Sequence, residues 1–342
     1  MRTLVSRLLR QLEPERAHAL ALAGIEAFGL PDAPPPPPSL ATRFAGLAFP
    51  SPIGLAAGFD KDARVWQQML RVGFGFVEVG TLTPRPQAGN PKPRVFRLAE
   101  DRAVINRLGF NNGGIAAALP RLRAHPRMGV NVGANRDSPD RVADYAAAVA
   151  AVRDRAAWIT LNISSPNTPG LRGLQGEALP ELLAAAAEAR GPGGPPLFLK
   201  VAPDLDETQM DAIAAAVLAA PVAALIVSNT TLARPPGLRS RHRGEAGGLS
   251  GAPLFTPSTA VLRGFARRLR GRLPLVGVGG VATAEQVYAK LRAGASAVQL
   301  YTALVFEGID LPARLNAGLA ALLARDGLPQ VADAVGLDVG TG

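Results

Sequence analysis

The stretch Trp158-Ile-Thr-Leu-Asn-Ile-Ser-Ser-Pro-Asn-Thr-Pro-Gly-Leu-Arg-Gly-Leu-Gln-Gly176 opens with an apolar run, Trp158–Leu161, that reads as a buried strand. It then sets Asn162, Ser164, Ser165, Asn167 and Thr168 close together, and Pro166, Pro169, Gly170, Gly173 and Gly176 punctuate the rest. A strand that ends in a knot of hydrogen-bonding groups, then runs into a Gly/Pro-rich loop, describes a reaction site with a mobile cover. A polar Ser/Asn turn has the same local composition. Recurrence of the pattern along the chain favours the site.

Outward from this stretch, eight short apolar runs alternate with Ala/Leu-rich helical stretches: Ile53–Ala57, Phe76–Gly80, Gly129–Val132, Trp158–Asn162, Leu197–Val201, Ala224–Ser228, Leu275–Gly279 and Ala297–Leu300. Helical spacing marks Ala63–Val72, Pro139–Val152, Leu179–Ala189, Asp206–Ala219, Ser258–Arg270 and Ala284–Ala293 between them. Repeated strand–helix units with strands buried on both faces predict an α/β fold, a (β/α)₈ TIM barrel. A doubly wound sheet is the alternative, and it lacks its Gly-x-Gly-x-x-Gly turn here. Arg43–Phe49 reads as a hairpin at the barrel floor. Two connections are long: residues 81–128, with a further candidate strand Arg94–Leu98, and residues 230–274, whose polar segment Arg234–Gly248 reads as mobile.

Ahead of the barrel, Leu4, Val5, Leu8, Leu9 and Leu12 recur at helical spacing with Arg2, Arg7 and Arg10 opposite, and a second helix runs from Glu15 to about Phe28. Pro31 and Pro34–Pro38 come next as a stiff linker. The expected organisation is a helical extension and linker over 1–38 and a barrel over 39–342. The helices read either as a basic amphipathic pair on a membrane surface or as helices packed on the barrel. Glu13 and Glu15 argue against a secretory signal.

Composition narrows the chemistry. The 342 residues include no cysteine, which removes disulfides, thiolate nucleophiles and cysteine-ligated metals. Only His18, His125 and His242 occur, far apart, so neither a metal site nor a Ser-His-Asp triad is expected. No uncharged apolar run reaches the ~18 residues of a membrane span. The net charge of +10 is scattered, without a nucleic-acid-binding signature, and suits anionic lipid or an anionic ligand. Lysine is scarce, limited to Lys61, Lys92, Lys200 and Lys290, and two of these fall at strand ends.

Barrel enzymes carry their reactive groups at the carboxyl ends of strands. Those ends read, in order, Ala57, Gly58, Asp60 and Lys61; Thr81; Asn131; Asn162 and Ser165; Lys200; Ser228, Asn229 and Thr230; Gly279 and Gly280; Tyr301 and Thr302. So many polar groups at strand ends each need a partner, which a ligand rich in donors and acceptors supplies. The last two loops lie where barrels commonly hold phosphate, and bare backbone N–H groups there suit an anion. A phosphorylated flavin fits this layout, with Lys200 near a ring that turns anionic on reduction.

The strings Gly-Leu-Ala-Ala-Gly-Phe-Asp-Lys (54–61), Thr-Pro-Arg-Pro-Gln (83–87), Ile-Asn-Arg-Leu-Gly-Phe-Asn-Asn (105–112), Asn-Ile-Ser-Ser-Pro-Asn-Thr-Pro-Gly-Leu-Arg (162–172), Ser-Asn-Thr-Thr (228–231), Gly-Gly-Leu-Ser-Gly (247–251) and Gly-Val-Gly-Gly (277–280) resemble those of the class 2, membrane-associated, quinone-dependent dihydroorotate dehydrogenases. The likeness runs from about residue 13 to about residue 307. Glu15-Arg-Ala-His18 and Ser165 favour class 2, since class 1 relatives use a cysteine as base. The resemblance implies an enzyme with one FMN per chain that oxidises (S)-dihydroorotate to orotate in pyrimidine synthesis and passes electrons to a quinone. It implies FMN held by Ala57, Thr81, Asn131, Asn162, Lys200, Ser228, Gly251, Gly280, Tyr301 and Thr302, where Ser228 stands at a position that is often threonine. It implies substrate held by Lys61, Asn106, Arg107, Leu108, Gly109, Phe110, Asn162, Asn167, Asn229 and Thr230. Ser165 would be the base, Thr168 or water its proton relay, and His18 and Arg97 would line a quinone tunnel. The same resemblance implies peripheral membrane association and a monomer; the lack of a visible transit peptide favours the cytoplasmic face of a bacterial inner membrane, and the scattered basic residues argue against a nucleic-acid partner. Two rivals are another FMN barrel oxidoreductase and a non-catalytic phosphate-binding barrel.

Overall fold

The computed structural model describes residues 10–340. Residues 4–9 of the expected first helix, with Arg2 and Arg7, lie outside the described residues. In chain order the elements are α1 (Pro14–Phe28), β1 (Thr42–Phe44), β2 (Leu47–Phe49), β3 (Ile53–Leu55), α2 (Trp66–Arg71), β4 (Phe76–Leu82), β5 (Val95–Leu98), β6 (Ala103–Asn106), α3 (Ile115–Ala118), β7 (Met128–Val132), α4 (Arg141–Val152), β8 (Ile159–Asn162), α5 (Leu179–Arg190), β9 (Leu197–Val201), α6 (Glu207–Ala219), β10 (Val222–Val227), β11 (Gly248–Gly251), α7 (Phe255–Leu269), β12 (Leu275–Val278), α8 (Ala284–Arg292), β13 (Ala295–Leu300), α9 (Ala303–Glu307) and α10 (Leu311–Arg325).

The eight expected runs all form strands, and they close into a parallel barrel in the order β10-β12-β13-β3-β4-β7-β8-β9. Register sets Asn131 beside Thr160 and Asn162 beside Lys200. Every residue of β4, β7, β8 and β9 is buried, as strands covered on both faces require.

The interior is layered. At the floor the β1–β2 hairpin inserts Phe44 and Phe49 against Phe76, Trp158 and Phe198. Phe49 and Phe76 lie 4.8 Å apart by ring centroid, and Trp158 stacks on Phe198 at 5.8 Å. Gly54 and Gly129 make room for this plug. A Cβ at Gly54 would sit 2.2 Å from the Phe76 ring, and one at Gly129 would sit 2.0 Å from Trp158. Above the plug the barrel turns polar around Glu78, and above that lies the mouth.

Two features of the mouth are not separable in the sequence. The sequence predicts a strand at Arg94–Leu98, but not its partners β6 and β11, and together they form an antiparallel sheet in the order β11-β6-β5. The polar segment Arg234–Gly248 is tied to that sheet. Arg234 donates to the carbonyls of Glu245 and Gly247 at 2.8 and 2.6 Å, and Asp101 accepts from the backbone of Arg239 and Ser240.

Helix α1 starts at Pro14, with the Glu13 carboxylate accepting from the N–H groups of Glu15 and Arg16. It packs Ala17, Leu22 and Ile25 inward and leaves Leu20 and Phe28 exposed, Phe28 at 91%. A two-pronged ion pair docks it: Arg94 Nη2 and Nε meet Glu15 at 2.6 and 3.0 Å. Arg94 also donates to the carbonyls of Ala88 and Asn90. The helix therefore lies on the barrel and still presents apolar side chains outward.

Candidate active site

The site is built upward from Glu78, the one charged side chain within β4. Its carboxylate is fully buried. One oxygen accepts from Asn131 Nδ2 at 2.7 Å; the other accepts from Thr160, Gln299 and Trp158 at 2.9, 3.1 and 3.2 Å. Glu78 therefore fixes which way the Asn131 amide points. Asn131 Oδ1 accepts from Thr81 Oγ1 at 2.6 Å and from Asn162 Nδ2 at 3.1 Å, while Asn162 Nδ2 also reaches Thr81 Oγ1 at 3.0 Å. Asn162 Oδ1 then accepts from Ser164 Oγ and from Asn229 Nδ2, both at 3.2 Å. Thr81, Asn131, Asn162 and Asn229 are thus brought into one network rooted in the barrel interior. The sequence reading does not pick out Glu78, and it places Ser164 in the polar knot after Leu161 without giving it a role. A signal for Glu78 exists: a lone carboxylate in a strand buried on both faces must be partnered.

Lys200 stands beside Asn162 in the next strand and is buried. Among the described residues no acceptor takes its ammonium by hydrogen bond. Burial pushes its pKa down, and the charge of Glu78 opposes that shift. Gln299 Oε1, on the same interior face, is buried without a donor. Ser228 is buried and its hydroxyl donates to the Asn229 carbonyl at 3.0 Å.

The cover comes from the Ser165–Gly176 segment. Ser165 is buried, and its Oγ accepts from the Asn167 N–H at 3.3 Å. Asn167 Nδ2 donates to Asn106 Oδ1 at 3.3 Å, joining two of the expected substrate residues. Thr168 Oγ1 is buried with no partner among the described residues. Arg172 ties the segment across the mouth to the Ser164 and Thr230 carbonyls and to Asp204, at 3.1, 2.9 and 2.7 Å. Asn90 bridges the Arg107 and Asn167 carbonyls from the other side. Thr230 packs under Gly248, where a Cβ would come within 2.0 Å of its hydroxyl. Gly109 and Phe110 offer backbone: their carbonyls accept from Gln87, and the Leu108 carbonyl accepts from the Asn90 N–H. The Arg107 side chain is directed elsewhere, paired with Glu245 at 2.8 Å and stacked over Phe96 at 4.6 Å. Lys61 is half-buried, and its pKa is lowered first by burial, against the pull of Glu15 and Asp62.

At the far rim, Gly280 presses on the start of α7, where a Cβ would lie 2.3 Å from the Phe255 nitrogen. Its φ of +74° also favours glycine. Thr302 Oγ1 donates to Ser250 Oγ at 2.9 Å, next to Gly251. Among the described residues no protein acceptor takes the backbone N–H of Gly279, Gly280, Tyr301 or Thr302. Four acceptor-free donors in two adjacent loops suit an anion.

His18 of α1 reaches the same rim. Its Nε2 lies 2.8 Å from the Phe59 carbonyl, and its ring packs edge-on to Phe59 and beside Tyr301. A carbonyl can only accept, so Nε2 carries the proton and Nδ1 stays a free acceptor. Burial, helped by Lys61, lowers the His18 pKa to about 4, so the ring is neutral near pH 7. Burial likewise raises Tyr301 to about 12. Arg97 donates to the Arg10 carbonyl at 2.6 Å and keeps a buried Nε without a partner. His18 and the Ser165 segment stand on opposite sides of the mouth, since β13 and β3 are half a circuit from β8 and β9.

Among the described residues no group of three or more His, Cys, Asp or Glu could hold a metal ion, and no helix is long and apolar enough to cross a membrane. The dihydroorotate dehydrogenase family model matches residues 39–323. The dihydroorotate dehydrogenase (quinone) of Cereibacter sphaeroides is 55% identical over 337 residues, covering 96% of this chain and 95% of its own. That of Sphingopyxis alaskensis is 54% identical, covering 96% and 94%. The ligand-free crystal structure of DHODH from Eimeria tenella is similar with a TM-score of 0.93 at 39% identity, covering 96% of this chain and 100% of that one.

Proposed function

This chain belongs to the dihydroorotate dehydrogenase family, and on that footing we propose that it oxidises (S)-dihydroorotate to orotate in pyrimidine synthesis, with a quinone as final electron acceptor. The observation that carries the reading is the pairing of an oriented amide–hydroxyl network and an unpaired Lys200 on one side of the mouth with four acceptor-free backbone N–H groups on the other.

That donor set fits FMN: the anion edge suits a phosphate, and Lys200 suits a ring that gains negative charge on reduction. Ala57, Thr81, Asn131, Asn162, Lys200, Ser228, Gly251, Gly280, Tyr301 and Thr302 would hold it. When bound, FMN supplies the two-electron carrier between dihydroorotate and quinone.

The chain's own residues do the rest. Conversion of dihydroorotate to orotate removes a hydride from C6 and a proton from C5. Lys61, Asn106, Asn162, Asn167, Asn229 and Thr230 offer the cation and amide groups that match a carboxylate and an imide-like edge, with the backbone of Arg107–Phe110 closing one side. Ser165 is the base for the C5 proton. A hydroxyl is weak in that role, and the unpartnered buried hydroxyl of Thr168 supports a relay by way of water. The Arg172 strap excludes solvent. His18 and Arg97 would meet the quinone. The exposed Leu20 and Phe28 support peripheral membrane attachment through residues 1–38; the cytoplasmic face of a bacterial membrane and a monomeric chain complete the proposal.

The test is the visible spectrum of the purified protein. A flavin band that bleaches with anaerobic dihydroorotate and returns with quinone supports the reading. A colourless protein sinks it and favours the phosphate-binding barrel.

A further inference from the structure

Lys290 is the buried cation that this reaction leaves unused. It lies on α8, fully buried, with its stem against β12: a Cβ at Gly277 would come 3.2 Å from Lys290 Cδ. No carboxylate among the described residues pairs with it. Its Nζ donates to Ser258 Oγ at 2.7 Å and lies 5.5 Å from the centroid of the Phe255 ring. The Ser258 hydroxyl, having accepted from the ammonium, has one proton to give. Two carbonyls are in reach at 3.2 Å, those of Phe255 and Gly279. Thr259 Oγ1 already serves the Phe255 carbonyl at 2.6 Å. The Ser258 proton therefore goes to Gly279.

The Gly279 carbonyl and the Gly280 N–H belong to one peptide unit. A donor at the carbonyl polarises the unit and strengthens its N–H, as successive hydrogen bonds reinforce one another. The Gly280 N–H is among the acceptor-free donors of the rim. We propose that Lys290 and Ser258 form a relay that charges the Gly279–Gly280 peptide from behind, making Lys290 a positioning residue for the phosphate of bound FMN. The inference rests on the FMN reading above.

A buried lysine without a counter-ion is costly, and an apolar residue of the same length would fill the space more cheaply. That cost argues against a purely structural role. Burial alone lowers the amine to about 7, so an arriving dianion would draw a proton onto it. Of the charged groups around it, Arg292 pairs with Asp338, Asp326 accepts from Tyr288, and Arg268 pairs with Glu207 and Asp211, while Arg263 of α7 acts on Asp338 and keeps a buried Nε without a partner. Glu285 and Arg267 are exposed, and β12 and β13 carry no ionisable side chain.

The experiment compares FMN and riboflavin affinity of the full chain, by fluorescence on release and rebinding, for the wild type, Lys290→Met and Ser258→Ala. Riboflavin lacks the phosphate. Cooperative strengthening by roughly 10–30% of one charge-assisted bond predicts FMN binding weaker by up to about fourfold in both variants, with riboflavin affinity unchanged. The wild-type preference for FMN over riboflavin should also shrink as pH rises above about 7 relative to Lys290→Met. Equal FMN affinity in wild type and variants overturns the relay, and so does an equal loss for both flavins, which marks a packing defect. Should Lys290→Met fail to fold, Ser258→Ala decides alone. A wild-type protein that binds neither flavin overturns the cofactor reading itself.

Discussion

Replacing Glu78 by Gln should be felt at the mouth rather than only in the interior. One Glu78 oxygen takes three donors and the other takes Asn131 alone. The glutamine oxygen belongs with the three donors, which turns its NH₂ toward Asn131 Nδ2. Asn131 must then rotate its amide and present NH₂ to Thr81 and Asn162. Thr81 can reverse its hydroxyl, but Asn162 Nδ2 cannot accept and loses one of its two partners. The exchange gives up a charge-assisted bond and strands a buried donor, about 2–4 kcal/mol together. For a domain of this size that is roughly 3–6 °C in melting temperature. Thermal denaturation followed by circular dichroism measures the first effect, and flavin content and kcat measure the second. A Glu78→Gln protein that melts within a degree of wild type, with unchanged kcat, would refute the claim that Glu78 sets the amide orientations.

Ser165→Ala should keep substrate binding while slowing substrate oxidation by about 10²–10⁴, the range for a positioned base; unaltered stopped-flow traces would remove Ser165 from the mechanism. Deleting residues 1–38 should leave anaerobic dihydroorotate oxidation intact and abolish efficient quinone reduction, so full quinone turnover by the shortened chain would count against an entry route there. His18 carries a folded pKa of about 4, below the ordinary ~6.5 of an unfolded chain. Its contribution to stability is therefore present above about pH 6.5 and is lost as pH falls toward 4, because only the unfolded chain takes up the proton. His18→Gln should lose less stability than wild type between pH 7 and about 4.5 in urea titrations; parallel curves would contradict the assigned neutral tautomer.

The barrel is legible because its evidence is repeated. Eight apolar runs with helices between leave few topologies, and errors at single boundaries do not alter the count. The strand-end residues are legible for a similar reason: Asn131, Asn162 and Lys200 interrupt apolar strands at or near their carboxyl ends. The hidden features depend on pairing across distance. Ala103–Asn106 and Gly248–Gly251 are too short to announce strands, and become so because β6 finds backbone partners in β5 on one side and β11 on the other. Arg234–Gly248 reads as loose from its polarity, yet Asp101 and its own backbone satisfy it. Arg107 lies within a recognisable motif, but Glu245 and Phe96 claim its side chain. The role of Glu78 needs all four of its donors in view.

The aromatic stopper at the base has a consequence for traffic. With Phe44 and Phe49 wedged beneath Trp158, no molecule threads the barrel, so electron donor and electron acceptor share one open end. The strap at 165–176 guards one edge of that opening and α1 the opposite edge. Under the proposed quinone route, separate edges would let one visitor leave without waiting for the other, with amide side chains bordering the first and α1 carrying exposed Leu20 and Phe28 on its outer face.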